Sequence, residues 1–169
     1  MGEPDSSGSR AAASVLFVCM GNICRSPAAE GVMRSCLAAR GLDGRVEVES
    51  AGTIDHHSGE PADARMRRAA AGRGYDLTST ASRVRLEDLE RFDLIVAMDR
   101  SNLEDLRRLA GRAAAGTTGK LRLLSDFLPA GSPRDVPDPY WGGERGFDEV
   151  LDLVEEACPR ILEELVGEL

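Results

Sequence analysis

The sequence predicts an α/β protein in which helices cover both faces of a four-stranded parallel sheet, forming a doubly wound three-layer sandwich. Two observations favour this class. Short, nearly continuous apolar runs recur along the chain, as is typical of strands buried on both faces. Amphipathic helical patterns separate these runs, and alternating strands and helices favour parallel pairing. The 169 residues are enough for one domain with a substantial core.

The first elements surround a short loop. An apolar run at residues 15–18 predicts the first strand, and residues 27–40 predict the first helix, which ends near Gly41. Ser26 is expected to be the N-cap of this helix, and Pro27 its first helical residue, where the missing N–H has no cost. Residues 1–14 are rich in Gly, Ser and Ala, so we expect a disordered tail before a single folded domain at residues 15–169.

The remaining elements follow in order along the chain. Strands are predicted from Val46, at residues 92–98 and at residues 121–124. Helices are predicted at residues 62–71, from Asp99 to about residue 110, and from residue 147 to about residue 168. Asp99 is expected to cap its helix. Pro159 lies inside the last helical pattern and is expected to kink or interrupt it.

The loop between the first strand and the first helix has the residues of an anion-binding nucleophilic site. Backbone N–H groups of such a loop, together with a helix N-terminus, converge on a bound anion. Cys19 starts the loop, and a helix N-terminus and a nearby cation both favour the thiolate form of cysteine. Arg25 ends the loop, and its planar guanidinium matches two phosphate oxygens. We therefore expect Cys19 to attack a bound phosphate monoester and form a phosphocysteine that water hydrolyses.

Other residues of the loop have supporting roles. Asn22 tolerates left-handed backbone angles and can brace the loop, while the Ser26 hydroxyl can hydrogen-bond the Cys19 sulfur and stabilise it as a leaving group. A Cys-x5-Arg spacing alone is weak, because an inert buried cysteine beside an ordinary turn would show it too. The flanking apolar run and Ser-Pro pair favour the functional interpretation. The loop residues expected to contact the phosphate are Met20, Gly21, Asn22, Ile23, Cys24 and Ser26.

The segment Cys19-Met-Gly-Asn-Ile-Cys-Arg-Ser-Pro resembles the signature loop of the low-molecular-weight protein tyrosine phosphatase family. The likeness extends from Val15 over nearly the whole chain. It implies a flavodoxin-like sheet of strand order 2-1-3-4, in which the loop follows the strand beside the topological switch point. No metal or other cofactor is expected, since loop amides and Arg25 can neutralise the phosphate charge.

A second chemical element lies in the Pro- and Gly-rich stretch of residues 126–146, at Val136-Pro-Asp138-Pro-Tyr140-Trp141. Prolines on both sides of Asp138 restrict its backbone. The reaction needs a proton donor for the leaving oxygen and then a base for water, and one carboxyl group can serve as both. In the family, the aspartate of an Asp-Pro-Tyr motif has this role, so the resemblance assigns it to Asp138. Tyr140 and Trp141 are expected to flank the cleft and hold an aromatic ring.

Two positions depart from the family pattern that the resemblance implies. His56 stands where a bulky aromatic commonly forms one wall of the cleft, and we place it in the substrate-binding set, although His56 and the adjacent His57 are equally well explained as solvated loop residues. With no third ligand nearby, this pair does not predict a metal site. Thr80 stands where a histidine commonly supports the loop asparagine, so the Thr80 hydroxyl is expected to brace Asn22. The family-like motifs of this region are Ser50-Ala-Gly-Thr, Gly59-x-Pro61 and Asp63-x-Arg65.

The four cysteines bear on regulation and on one alternative activity. A disulfide between Cys19 and Cys24 would protect the nucleophile from overoxidation, although Cys24 could equally be a packing residue of the loop. Arsenate reductases share the loop and fold but need two more cysteines on a mobile segment. Cys36 and Cys158 fall in predicted helices, which disfavours that activity.

Two further alternatives remain open. Protein arginine phosphatases also resemble the loop but commonly have threonine where Ile23 stands, so Ile23 favours phosphotyrosine. The chain could also be a catalytically silent module that binds phospho-anions or senses redox state. The presence of both Cys19 and Asp138 argues against such a silent module.

Composition limits the partners and the compartment. The net charge is −8, from 29 acidic and 21 basic residues, which disfavours nucleic acid and anionic membranes as partners. The chain has no apolar stretch near 20 residues and no signal-peptide pattern at its start, and four cysteines make no disulfide scaffold. We therefore expect a cytoplasmic, monomeric protein that acts on phosphotyrosine-containing proteins and binds phosphate or other oxyanions in its loop.

Overall fold

The strand that leads into the cysteine loop lies in the interior of the sheet. A computed structural model describes residues 11–113 and 116–167. Its four strands are β1 (Ala13–Cys19), β2 (Val46–Gly52), β3 (Leu94–Ala97) and β4 (Leu121–Leu123). All neighbours pair in parallel in the order β2-β1-β3-β4, so the predicted sheet order is confirmed. The carboxyl ends of β1 and β2 meet at one edge, where Cys19 is paired with Gly52.

The helices lie on both faces of this sheet. They are α1 (Arg25–Ala39), α2 (Ala64–Ala71), α3 (Leu86–Arg91), α4 (Arg100–Ala110) and α5 (Arg145–Gly167). Alternate residues of β1 enter two separate cores, because successive side chains of a strand point to opposite faces. Val15 and Phe17 share a core with α1, α2 and α5, whereas Leu16 and Val18 share one with α3 and α4. The predicted three-layer α/β sandwich is therefore confirmed.

Several boundaries differ from the prediction. The strand β1 begins at Ala13, so the last residues of the expected tail belong to the sheet, and residues 1–10 lie outside the described part of the chain. The six-residue helix α3 was not predicted. Its Asp88 carboxylate accepts a hydrogen bond from the Arg85 N–H at 2.8 Å. A helix this short shows too little periodicity to be recognised in the sequence.

The expected N-cap of the first helix is wrong. The helix α1 begins at Arg25, and Cys24 occupies the cap position without a side-chain cap hydrogen bond. The Ser26 hydroxyl instead contacts the Cys19 sulfur at 3.0 Å. The cap at Asp99 is confirmed, since its Oδ1 accepts a hydrogen bond from the Asn102 N–H at 2.7 Å at the start of α4.

Pro159 does not interrupt the last helix. The helix α5 is continuous from Arg145 to Gly167 with Pro159 inside it. A proline in a helix interior costs about 3 kcal/mol, but α5 packs against α1 and buries apolar side chains on both sides of the proline. This burial offsets the local cost. No helix in residues 11–113 or 116–167 is long and apolar enough to cross a bilayer.

Candidate active site

The Cys19 sulfur lies at the bottom of the loop that follows β1, here called the phosphate loop (residues 19–25). Cys19 is 3% exposed. Its Sγ accepts a hydrogen bond from the Asn22 N–H at 3.2 Å and lies 3.0 Å from the Ser26 Oγ. Hydrogen-bond donors aimed at a sulfur stabilise negative charge on it. The arrangement therefore favours a thiolate that can act as nucleophile and leaving group.

Asn22 braces the loop, but through other partners than expected. Its φ is +58°, the left-handed region in which asparagine is tolerated. Its Nδ2 donates to Ser26 Oγ at 2.8 Å and Ser50 Oγ at 3.0 Å, and its Oδ1 accepts from the Ser82 N–H at 3.0 Å. The predicted brace by the Thr80 hydroxyl is therefore wrong. Thr80 is exposed and forms an isolated bridge with Pro61.

The end of β2 follows the phosphate loop at close range. A Cβ added to Gly52 would lie 2.6 Å from the Met20 carbonyl oxygen and 3.2 Å from the Asn22 nitrogen. Glycine is needed here because the two backbones approach too closely for a side chain. The N–H groups of Thr53 and Ile54 then donate to the Cys19 and Met20 carbonyls at 2.9 and 3.1 Å. These contacts fix the path of the loop.

The Arg25 guanidinium is held from behind by two elements. Its Nη1 donates to Asp99 Oδ2 at 2.6 Å and to the Val136 carbonyl at 3.0 Å. Burial acts against the charge of Arg25, but the negative charges of Cys19, Asp99 and Asp138 outweigh it and raise the pKa of Arg25. Asp99 therefore has two roles, since it caps α4 through one oxygen and orients Arg25 through the other.

Asp138 lies across the pocket from the phosphate loop. It is the N-cap of a short 3₁₀ helix, Pro139–Trp141, and with this helix forms what we call the acid turn. Its Oδ1 accepts a hydrogen bond from the Tyr140 N–H at 3.0 Å, and its Oδ2 lies 3.7 Å from Arg25 Nη2. The side chain is 33% exposed. The carboxyl group is thus close to Arg25 yet accessible to an entering ligand or water.

These groups face one pocket of about 240 Å³. The predicted residues Asn22 and Ser26 do not line this pocket, because they support the loop from behind. Every other predicted site residue does line it, and so do Ile54 and His57, which sequence reasoning did not place in the site. The lining residues are Cys19, Met20, Gly21, Ile23, Cys24, Arg25, Ile54, His56, His57, Asp138, Tyr140 and Trp141.

A row of rings forms one wall of the pocket. Ring centroids are 4.8 Å apart between His56 and His57, 6.3 Å between His57 and Tyr140, and 4.8 Å between Tyr140 and Trp141. The His57 ring lies 3.1 Å from where a Cβ of Gly21 would stand, and its Nδ1 is 2.7 Å from Glu60 Oε2. His57 is therefore packed against the phosphate loop rather than fully solvated, whereas His56 is exposed. Trp141, at the rim, is 84% exposed.

The four cysteines are all free. Burial, and next the nearby Asp63 carboxylate, raise the pKa of the Cys24 thiol far above its usual value. Burial likewise raises the pKa of Cys36 and of Cys158. Cys24 is therefore a neutral thiol beside the nucleophile. No group of three or more His, Cys, Asp or Glu residues in the described ranges is arranged to hold a metal ion.

The same architecture occurs in known proteins. A low molecular weight protein-tyrosine-phosphatase from Streptomyces coelicolor is 46% identical over 150 residues, covering 88% of this chain and 90% of the relative. The crystal structure of a protein tyrosine phosphatase from Entamoeba histolytica, with Hepes in its active site, superposes with a TM-score of 0.86 at 40% identity, covering 93% of this chain and 99% of that chain. A Drosophila arginine phosphatase superposes with a TM-score of 0.83 at 32% identity, covering 89% of this chain and 96% of that chain.

The family suggested by the phosphate loop is thereby confirmed. A family model described as low molecular weight phosphotyrosine protein phosphatase matches residues 14–169, which include both the phosphate loop and the acid turn. The chain belongs to the low molecular weight phosphotyrosine protein phosphatase family.

Proposed function

We propose that the chain hydrolyses phosphotyrosine in proteins, and simple aryl phosphates, through a phosphocysteine intermediate. The observation that carries this proposal is the convergence on one pocket of a hydrogen-bonded Cys19 sulfur, a buried Arg25 guanidinium and the Asp138 carboxyl group. The names of the relatives, which are protein tyrosine phosphatases, support the same activity.

In the first step the Cys19 thiolate attacks phosphorus while the bond from phosphorus to the phenolic oxygen breaks. The phosphoryl oxygens are bound by loop N–H groups and by the Arg25 donors that Asp99 and Val136 leave free. Asp138, in its protonated form, donates its proton to the leaving phenolic oxygen. The products are a tyrosine hydroxyl group and a phosphocysteine.

In the second step Asp138, now a carboxylate, takes a proton from water as the water oxygen attacks phosphorus. The bond from phosphorus to sulfur breaks, and inorganic phosphate is formed. The Ser26 hydroxyl and the Asn22 N–H stabilise the departing Cys19 thiolate through hydrogen bonds. All charge compensation in both steps comes from residues of this chain.

The walls of the pocket support an aromatic substrate. The His57, Tyr140 and Trp141 rings all line the pocket, with neighbouring rings tilted by 49° and 81° to each other, and the exposed side chains of Met20 and Ile54 add apolar area at the rim. Aromatic rings stack and pack well against such surfaces. Phosphoarginine is the competing substrate, because an arginine phosphatase has the same fold.

We also propose that the protein is a cytoplasmic monomer that acts on phosphoproteins. Its net charge of −8 disfavours nucleic acid as a partner.

The test uses a phosphotyrosine peptide, a phosphoarginine peptide of the same sequence, and three forms of the protein. The natural protein should release phosphate from the phosphotyrosine peptide at least about tenfold faster than from the phosphoarginine peptide. Rapid quenching of the reaction should trap phosphate on Cys19. Cys19→Ser should retain peptide binding without turnover. Asp138→Asn should lower the rate by about 10²–10⁴ for phenyl phosphate and much less for nitrophenyl phosphate, whose leaving group needs no proton. Turnover by Cys19→Ser, or a preference for phosphoarginine, would overturn the proposal.

We also propose that Cys19 is redox-sensitive. A peroxide oxidises the Cys19 thiolate to a sulfenic acid, and the Cys24 thiol then displaces water from it to give a disulfide. The support is that both cysteines are free and that they are separated by one tight loop. A thiol reductant would return both cysteines to their active state.

A further inference from the structure

Arg65, in the first turn of α2, lies behind the acid turn and outside the pocket lining. Its Nε and Nη2 donate to Asp63 Oδ1 at 3.1 Å and Oδ2 at 2.9 Å. Its Nη2 also donates to the Tyr140 carbonyl at 3.3 Å. The guanidinium carbon is 5.4 Å from the centroid of the Tyr140 ring and 4.8 Å from that of Phe147. Five separate contacts therefore orient one side chain against this turn.

Tyr140 connects Arg65 with Asp138, the proposed general acid, which lies two residues before Tyr140 in the chain. The Tyr140 N–H donates to Asp138 Oδ1 at 3.0 Å, which sets the direction of that carboxyl group. The Tyr140 carbonyl and ring are the groups that Arg65 contacts. A side chain that fixes the position of Tyr140 therefore also fixes the carboxyl group that Tyr140 orients.

Asp63 connects this contact to the phosphate loop. Its N–H donates to the Ile23 carbonyl in the loop at 2.8 Å, and its Oδ1 caps α2 by accepting from the Arg65 N–H at 2.8 Å. The Arg65 hydrogen bonds hold the pKa of Asp63 below its usual value, so the pair stays ionic. A continuous series of contacts thus links the loop at Ile23 to Asp138, although these residues are far apart in the sequence.

We propose that Arg65 is a positioning residue that holds the acid turn at a fixed distance from the phosphate loop, so that Asp138 meets the leaving oxygen of the substrate. The proposal rests on the general-acid role given to Asp138 above. The Arg65 side chain is 38% exposed, and the rest of it packs on the Tyr140 and Phe147 rings, so a substitution has to keep an unbranched apolar stem to preserve this packing. Lysine cannot replace it, because one ammonium group cannot bind both Asp63 oxygens and the Tyr140 carbonyl while stacking on a ring.

The experiment measures kcat/KM for phenyl phosphate, which needs a proton on its leaving oxygen, and for nitrophenyl phosphate, which does not. Arg65→Met should lower kcat/KM for phenyl phosphate about 10- to 100-fold, a part of the ~10²–10⁴ that general acid catalysis contributes. The loss with nitrophenyl phosphate should stay below about threefold, and inhibition by inorganic phosphate should be unchanged. The matched control is Arg68→Met, since Arg68 is exposed on the same helix and has no ion pair within the described residues.

A double-mutant cycle separates positioning from a general structural effect. In the Asp138→Asn background, Arg65→Met should cause no further loss with phenyl phosphate, because the group that it positions is gone. Arg65→Lys, which keeps the charge next to Asp63, should show the same selective loss and guards against a folding defect in Arg65→Met. Equal losses with both substrates, or losses that add in the double variant, would overturn the role of Arg65. If the loss caused by Asp138→Asn does not depend on the leaving group, the general-acid role of Asp138 is refuted, and the role of Arg65 is refuted with it.

Discussion

Replacing Arg25 with lysine would keep the positive charge of the pocket while changing the number and direction of its hydrogen-bond donors. A guanidinium has five N–H donors in a plane. Asp99 Oδ2 and the Val136 carbonyl both accept from Nη1, at 2.6 and 3.0 Å. This leaves the Nη2 and Nε hydrogens for two oxygens of a phosphate. One end of Arg25 is thus structural and the other is free for the ligand.

The expected loss follows from this division of donors. An ammonium has three donors, and keeping the contacts with Asp99 and Val136 leaves one for the anion. One charge-assisted hydrogen bond to phosphate is then lost, worth about 1.5–3 kcal/mol. At about 1.4 kcal/mol per factor of ten, kcat/KM should fall roughly 10- to 150-fold. If the ammonium turns to the anion instead, the buried Val136 carbonyl loses its partner, and the free energy of unfolding should fall by about 1–3 kcal/mol.

The assay is kcat/KM for an aryl phosphate, together with inhibition by vanadate and urea unfolding of each variant. Vanadate mimics the trigonal-bipyramidal phosphorus of the transition state, so its inhibition should weaken by a factor similar to the loss in kcat/KM. The control is Arg108→Lys, because Arg108 forms exposed ion pairs with Glu104 and Asp105 away from the pocket. This division of the Arg25 donors would be refuted by an Arg25→Lys variant that meets two conditions. Its kcat/KM would stay within about threefold of that of the natural protein, and its free energy of unfolding would stay within about 0.5 kcal/mol.

Three other perturbations test separate parts of the site. Gly52→Ala should displace the phosphate loop at the Met20 carbonyl and lower kcat/KM about tenfold or more, since shifts of about 1 Å at an active site can cost ~10²; unchanged kinetics would contradict the close approach. Burial raises the pKa of Glu30 in the folded state, whereas in the unfolded state the carboxyl group loses its proton near pH 4. Between these two pKa values only the folded state holds the proton, so the free energy of unfolding falls as the pH rises. In urea unfolding at several pH values, the free energy of unfolding of Glu30→Gln minus that of the natural protein should therefore increase across this window and then level off. A difference that does not change with pH would contradict the raised pKa of Glu30. Cys24→Ser should become irreversibly inactive after peroxide treatment that a thiol reverses in the natural protein, and full recovery of the variant would count against the disulfide.

The fold could be predicted from the sequence because its strands are buried on both faces. Val15 and Phe17 enter one core, whereas Leu16 and Val18 enter the other. Both faces of the strand are therefore apolar, and a continuous apolar run is easy to recognise in a sequence. The helix α3 escaped recognition because it is short. The cap at Ser26 was wrong because α1 begins one residue earlier, at Arg25, and the Ser26 hydroxyl contacts the Cys19 sulfur across the loop instead of capping the helix.

The placement of Cys19 and Arg25 in one pocket could be predicted because both belong to a single sequence motif, whereas residues placed there by the path of a loop could not be predicted. Ile54 and His57 line the pocket because the chain after β2 folds back over the phosphate loop, and no local pattern indicates that path. The prediction for Thr80 was wrong because the path of this extended segment decides which group reaches Asn22. The backbone N–H of Ser82 donates to Asn22, while Thr80 is exposed.

The charges around the pocket connect substrate binding with the proton on Asp138. Arg25 is the one arginine or lysine among the described residues that line the pocket, and Asp99 already pairs with it. A phosphate monoester dianion entering beside a Cys19 thiolate and an Asp138 carboxylate would meet two negative charges, and every two unit charges about 4 Å apart repel by about 4 kcal/mol at an effective dielectric constant of about 20. A proton on Asp138 removes one of these repulsions and is the same proton that the leaving oxygen needs. Asp138→Asn removes the charge without supplying that proton, so we expect this variant to bind phosphate esters at least as tightly as the natural protein while turning them over more slowly.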